Sequence, residues 1–273
     1  MKAARALPVL MYHHVSPSPG LVTVAPATFA AHMRWLAEHG WTTVGCREAA
    51  AFLAGQSLPA KSVLITFDDG YLDNWVYAHP VLARHGQRAV LFAITGWLGE
   101  GPVRPVSDSG MALPATPDHN GCKRAVAEGD HDQVMMRWSE VEAARAAGTF
   151  EFHSHTHQHA RWDKLCQTAA EKRERLAEDL FASRATLQAR LGEVSDHLCW
   201  PQGYFDDDYR AVARAAGFRH FYTVDKHINT PTTDPEQIGR IVTKDRRDGW
   251  FGQRLWVYSR PRIGALYLTL RGK

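Results

Sequence analysis

The feature that most constrains this chain is the run Val63-Leu64-Ile65-Thr66-Phe67, which stops at Asp68-Asp69-Gly70. Apolar and β-branched residues without alternation suit a strand buried on both faces, as in a parallel sheet. Acids at the carboxyl end of such a strand lie where α/β folds gather their chemistry. Asp-Asp-Gly is also turn chemistry, and the stretch alone leaves both readings open.

The rest of the chain supplies the sheet. Val9–Tyr12 reads as a first strand ending at His13 and His14, and Phe29, Met33, Leu36 and Ala37 as one helix face stopped by Gly40. Trp41 to Val44, Ala89 to Thr95, Phe150 to Phe152, Leu198 to Gly203, Phe221 to Val224 and Ile238 to Val242 read as further strands or strand-turn units. Helices are expected over 48–54, over 74–84 with a kink at Pro80, over 169–191, and from Asp206 or Asp207 to Ala216. Ser139 with Glu142 suggests a capping box for a helix reaching Ala147. This alternation predicts βα units around a parallel sheet or barrel. Residues 99–132, rich in Pro, Gly, Ser, Asp and His, read as a functional loop or a disordered insertion covering the site.

At 273 residues and 45% hydrophobic content, one domain is the default. A net charge of +3 gives no general case for nucleic acid, and no recognition motif adds one. Cys46, Cys122, Cys166 and Cys199 are scattered, which disfavours a disulfide framework or zinc knuckle. The N-terminal apolar run breaks at Pro8 and the paired histidines, so a cytoplasmic location is expected.

His155 and His159 follow the Phe150–Phe152 strand four residues apart, so both imidazoles can face one point. With one carboxylate of Asp68-Asp69 they form a set that holds a divalent ion and leaves positions open for water and substrate. The other carboxylate is placed to act as a base. A histidine-rich loop that binds metals only opportunistically is the competing reading. His153 and His157 suit supporting tasks.

Thr66-Phe67-Asp68-Asp69-Gly70 and Ser154-His155-Thr156-His157-Gln158-His159, in that order, resemble the first two motifs of the polysaccharide deacetylases, the NodB-homology domain of carbohydrate esterase family four. The resemblance runs from about Val9 to Val242. It implies a single-domain distorted (β/α) barrel that removes N-acetyl or other small N-acyl groups from amino sugars with a divalent metal, zinc first and cobalt, nickel or manganese as alternatives. By position, Asp69, His155 and His159 would hold the metal and Asp68 would be the base. The third motif reads Cys199-Trp200-Pro201-Gln202-Gly203, with its usual arginine and aromatic replaced. A main-chain donor at Gln202 could still serve the oxyanion, and Arg240 is the substitute for the missing charge. The family's acid histidine has no counterpart after Leu255, whereas Met11-Tyr12-His13 matches its motif. His13 is therefore the expected general acid of a circularly permuted member.

Trp97, Trp138, Trp162 and Trp200 are candidate sugar platforms. Residues 1–243 form the expected catalytic domain, and 244–273 a basic, aromatic extension that packs on it or docks at an anionic membrane or a partner. Membrane docking would suit a lipid-linked substrate in envelope polysaccharide or lipopolysaccharide assembly. Two other functions fit parts of the pattern: an amidohydrolase using His153 and His155, and a non-catalytic carbohydrate-binding protein on the same scaffold.

Overall fold

The computed structural model describes residues 3–193 and 195–271. Its strands, numbered along the chain, are β1 (Val9–Tyr12), β2 (His14–Val15), β3 (Thr23–Val24), β4 (Thr42–Val44), β5 (Ser62–Asp69), β6 (Ala89–Ala93), β7 (Phe150–Ser154), β8 (His197–Cys199), β9 (His220–Tyr222) and β10 (Ile241–Val242). β2 and β3 pair with each other. The other eight form one parallel sheet in the order β10-β1-β5-β6-β7-β8-β9, with β4 on the first half of β5. Every residue of β5 is buried, which is why its sequence runs apolar without alternation.

The sheet curls until its edges meet. Ile238 donates its N–H to Phe221 O (2.9 Å) and accepts from Thr223 N (3.0 Å), while Ile241, three residues on, stands in register with Leu10 of β1. Residues 238–242 thus strap β9 to β1 and close a distorted barrel, leaving no bare edge there. Outside it, Leu10, Ile65, Phe67 and Leu91 pack with Phe29, Met33 and Leu36 of the helix Pro26–Glu38. Inside, Val9, Leu64, Val90, Phe92 and Tyr222 fill the ring.

The helix Ala169–Leu191 falls where its pattern placed it. Thr168 Oγ1 accepts the Glu171 N–H (3.1 Å) at its start, and Gly192 at φ 74° ends it. Three expectations need correction. Residues 74–84 are a π turn, Asn74–Ala78, followed by a separate helix His79–Arg84; Pro80 sits in the first turn of the latter, where its missing N–H is harmless. The helix Trp138–Ala146 is capped two residues earlier than expected at each partner: Glu140 accepts the Arg137 N–H (2.9 Å), and Ser139 instead donates to Gly101 O (2.7 Å). The insertion is neither loop nor disordered throughout. It carries the helix His119–Ala127, capped by Asp118, and Arg104 pins it to the fully buried Glu140 carboxylate (2.7 and 2.8 Å).

The tail forms two helices, Asp248–Tyr258 and Pro261–Thr269. Phe251 is buried, its ring 4.1 Å from that of His32 and close to Trp35, whereas Trp256, Leu266 and Leu270 are exposed. Among the described residues no helix is long and apolar enough to cross a membrane.

Candidate functional site

Asp68 and Asp69 end β5, and the backbone sends them to different partners. Asp68 faces into the barrel and meets Arg240, whose guanidinium grips both carboxylate oxygens at 2.6 and 2.8 Å. Arg240 is itself fixed, through Nε to Thr223 O (2.9 Å) and one terminal nitrogen to Thr66 Oγ1 (3.2 Å). Both members of the pair are almost wholly buried. Burial alone would raise the Asp68 pKa, but Arg240, with His13 and His155, brings it below the ordinary carboxylate value.

Asp69 stands at φ 75° and Gly70 at φ 92°, so the chain turns sharply and aims Asp69 at the histidine loop. Its Oδ1 lies 3.4 Å from His155 Nε2 and 3.6 Å from His159 Nε2. His155 Nδ1 donates to the Cys199 carbonyl (2.8 Å), which fixes the ring and leaves Nε2 bare. Burial opposes ionisation of Asp69, yet His155 and His159 hold its pKa far below the usual range. Burial, with His155 beside it, pushes His159 down to about 4, so its imidazole is neutral at neutral pH.

This donor set fits a divalent ion. Tetrahedral zinc, bonded at roughly 2.0–2.2 Å, holds its donors about 3.2–3.6 Å apart. The Asp69–histidine separations match that spacing and are long for hydrogen bonds. One anionic oxygen, two imidazoles and an anchored ring are the chemistry such a site requires.

His13, just past the end of β1, places Nε2 3.7 Å from Asp68 Oδ2, the oxygen that Arg240 also contacts. Burial lowers its pKa, against an upward pull from Asp68 and Asp69. His14 points elsewhere, to Asp73 at 2.5 Å. Gln202 lines the same cavity and stands in a left-handed turn at φ 55°. The cavity, about 350 Å³, thus brings together His13, Asp68, Asp69, His155, His159, Gln202 and Arg240.

Of the four tryptophans, Trp97 and Trp200 line the cavity. Trp138 does not: it is buried in the outer core. Trp162 is committed to Asp179, to which its Nε1 donates (2.9 Å). The amidohydrolase pair does not form either, because His153 contacts Ser195 Oγ (2.5 Å) and lines a separate cavity toward the N-terminal ends of the strands.

Sequence reading missed three contributors. His119 and Lys123 reach the wall from the insertion's helix, for which Asp118 as an N-cap was the available signal. Asp179, buried in the long helix, accepts the N–H groups of His157 (2.7 Å) and Gln158 (2.9 Å) and so shapes the loop between His155 and His159. No local pattern marks it. Asp179→Ala orphans both amides, and a loss of about 2–5 kcal/mol in denaturant unfolding is expected, with weaker metal retention.

A family model described as Polysaccharide deacetylase matches residues 55–221. YxkH of Bacillus subtilis (strain 168), assigned by name to the polysaccharide deacetylases, is 45% identical over 94 residues, 34% of this chain and 33% of its own length. The match thus spans a third of that relative. A poly-beta-1,6-N-acetyl-D-glucosamine N-deacetylase of Staphylococcus aureus (strain MRSA252) is 24% identical over 227 residues, 82% of this chain and 68% of that one. Among solved structures, IcaB from Ammonifex degensii superposes with a TM-score of 0.71 at 25% identity, covering 93% of this chain and 97% of that one. The curled parallel barrel is therefore a fold shared with IcaB. The chain belongs to the polysaccharide deacetylase family.

Proposed function

We propose that this protein is a metal-dependent N-deacetylase acting on N-acetylated amino sugars of a polysaccharide, with poly-β-1,6-N-acetylglucosamine as the substrate to try first. The observation that carries the reading is the division of labour at 68 and 69. Asp69 faces His155 and His159, while Asp68, one residue away, is clamped by Arg240 and left ionised. The polymer is suggested by the staphylococcal relative's name.

Asp69, His155 and His159 would hold the ion, with zinc favoured by the mixed nitrogen and oxygen donors. Such an ion, when bound, supplies a Lewis acid for the amide carbonyl and a more acidic water. Asp68 takes the proton of that water, and Arg240 keeps the carboxylate ionised and oriented for it. The Gln202 N–H donates to the developing oxyanion. His13, beside Asp68, gives a proton to the departing amine nitrogen, which is otherwise a poor leaving group. Trp97 offers an apolar wall for a pyranose ring.

Acetate release from β-1,6-linked N-acetylglucosamine oligomers is the test. Turnover that disappears with chelator and returns with zinc is expected. Binding of the oligomer without acetate release in any divalent metal would favour a carbohydrate-binding role instead.

A further inference from the structure

The end of the barrel opposite the acids holds a second cavity, of about 640 Å³, lined by Glu151, His153, Ser195, Asp196, His197 and His220 among others. His197 and His220 open β8 and β9 and are register partners on these adjacent parallel strands, so both side chains share one face. Their rings stack with centroids 4.4 Å apart. Asp196 precedes them, and its carbonyl accepts the N–H groups of Arg219 (2.8 Å) and His220 (3.1 Å), which fixes the backbone of the cluster.

One donor atom each of Asp196, His197 and His220 lies within 4.8 Å of the others. Asp196 Oδ1 lies 3.4 Å from His197 Nε2, and Asp196 Oδ2 3.3 Å from His220 Nδ1. His220 Nδ1 is buried without a hydrogen-bond partner. The His197 ring is held from behind, with Nδ1 3.2 Å from the Tyr222 hydroxyl. That repeats the arrangement of His155, anchored through Nδ1 with Nε2 bare. His153 contributes a further buried nitrogen without a hydrogen-bond partner, its ring 5.1 Å from that of His197.

We infer that Asp196, His197 and His220 form a second divalent-metal site, selective for zinc-like ions, at the N-terminal mouth of the barrel. Carboxylate with two imidazoles is a borderline donor set, which suits zinc rather than magnesium or calcium. The neighbouring Cys46, Glu151 and His153 group is a weaker centre. Its Glu151 is committed to the Cys46 N–H (2.9 Å) and to Arg88 (3.4 Å), and burial keeps the Cys46 thiol protonated. The cavity's positive side chains are partly neutralised, since Arg88 also pairs with Glu48 and Arg145 pairs with Glu193. An ion at Asp196, His197 and His220 would tie the starts of β8 and β9 together. It is a structural clamp, remote from the acids and independent of the catalytic ion.

The full chain is loaded with zinc, desalted and assayed for bound metal, with melting recorded alongside. Two zinc ions per chain are expected for wild type and one for His155→Ala/His159→Ala. In that double variant zinc still raises the melting temperature, and adding His220→Asn abolishes both the bound ion and the shift. Should the double variant fail to fold, Asp196→Asn and His220→Asn, at half-buried positions, are each expected to take wild type from two ions to one. An unchanged zinc content in these single variants, or a wild type whose one ion is lost with His155 and His159, overturns the second site. If wild type holds one ion only, and that ion survives loss of His155 and His159 but not of His220, the second site stands and the catalytic metal assignment falls.

Discussion

Asp68→Asn is expected to lower kcat about 10²- to 10⁴-fold, the usual worth of a positioned general base, while zinc content stays at the wild-type level. The second half of that result is the discriminating one. Asp69, not Asp68, faces His155 and His159, so removing the charge at 68 leaves the donor set intact. Asparagine also presents an amide to a guanidinium that has only donors, so Arg240 keeps one acceptor where it had two. The melting temperature should therefore drop as well. Acetate release at low temperature, beside metal analysis of the same sample, separates lost chemistry from lost fold. Near-wild-type turnover would remove Asp68 from the role of base.

Arg240→Met has the largest expected effect on stability. Methionine fills much of the volume but leaves a carboxylate buried and unpaired, and breaking such a pair costs about 3–5 kcal/mol. The pH dependence has a definite sign. In wild type the Asp68 pKa is depressed, so the stability this group contributes is present above its unfolded value of about 3.9 and is lost as pH falls through the folded value. In the variant, burial is opposed only by His13 and His155 and the pKa rises, so the penalty is greatest at neutral pH and fades on acidification. Urea unfolding of both proteins from pH 7 to pH 3 should show the gap between them narrowing. A constant gap would mean that Arg240 stabilises by packing alone. Turnover at pH 7 should also fall, since Asp68 loses the guanidinium that orients it.

How far the sequence reveals this molecule depends on the range of each interaction. A buried parallel strand imposes a local apolar run, so 62–69 and 9–12 are legible, and a long helix with a threonine cap and a terminal glycine, 169–191, is legible to the residue. His155 and His159 show because one loop carries both. Arg240 is visible only as a charge in search of a partner, since its pairing with Asp68 spans 172 positions. Asp179 looks like any acid on an amphipathic helix until the loop it caps is folded against it. The Asp196, His197 and His220 cluster is hidden for a similar reason: its third member joins only through strand register. In the insertion, abundant glycine and proline mask a helix whose start is announced by a single aspartate.

The strap at 238–242 has a consequence for the order in which the molecule becomes competent. It carries Arg240, and it docks beside β1, the strand that carries His13. Contacts so distant along the chain close the largest loop in the fold and are entropically costly to form early. Until that closure, Asp68 has no guanidinium to keep it ionised and no fixed histidine across from it. A chain with every strand but this one in place could gather its metal donors yet remain chemically silent, so completion of the ring and the onset of catalysis are one event.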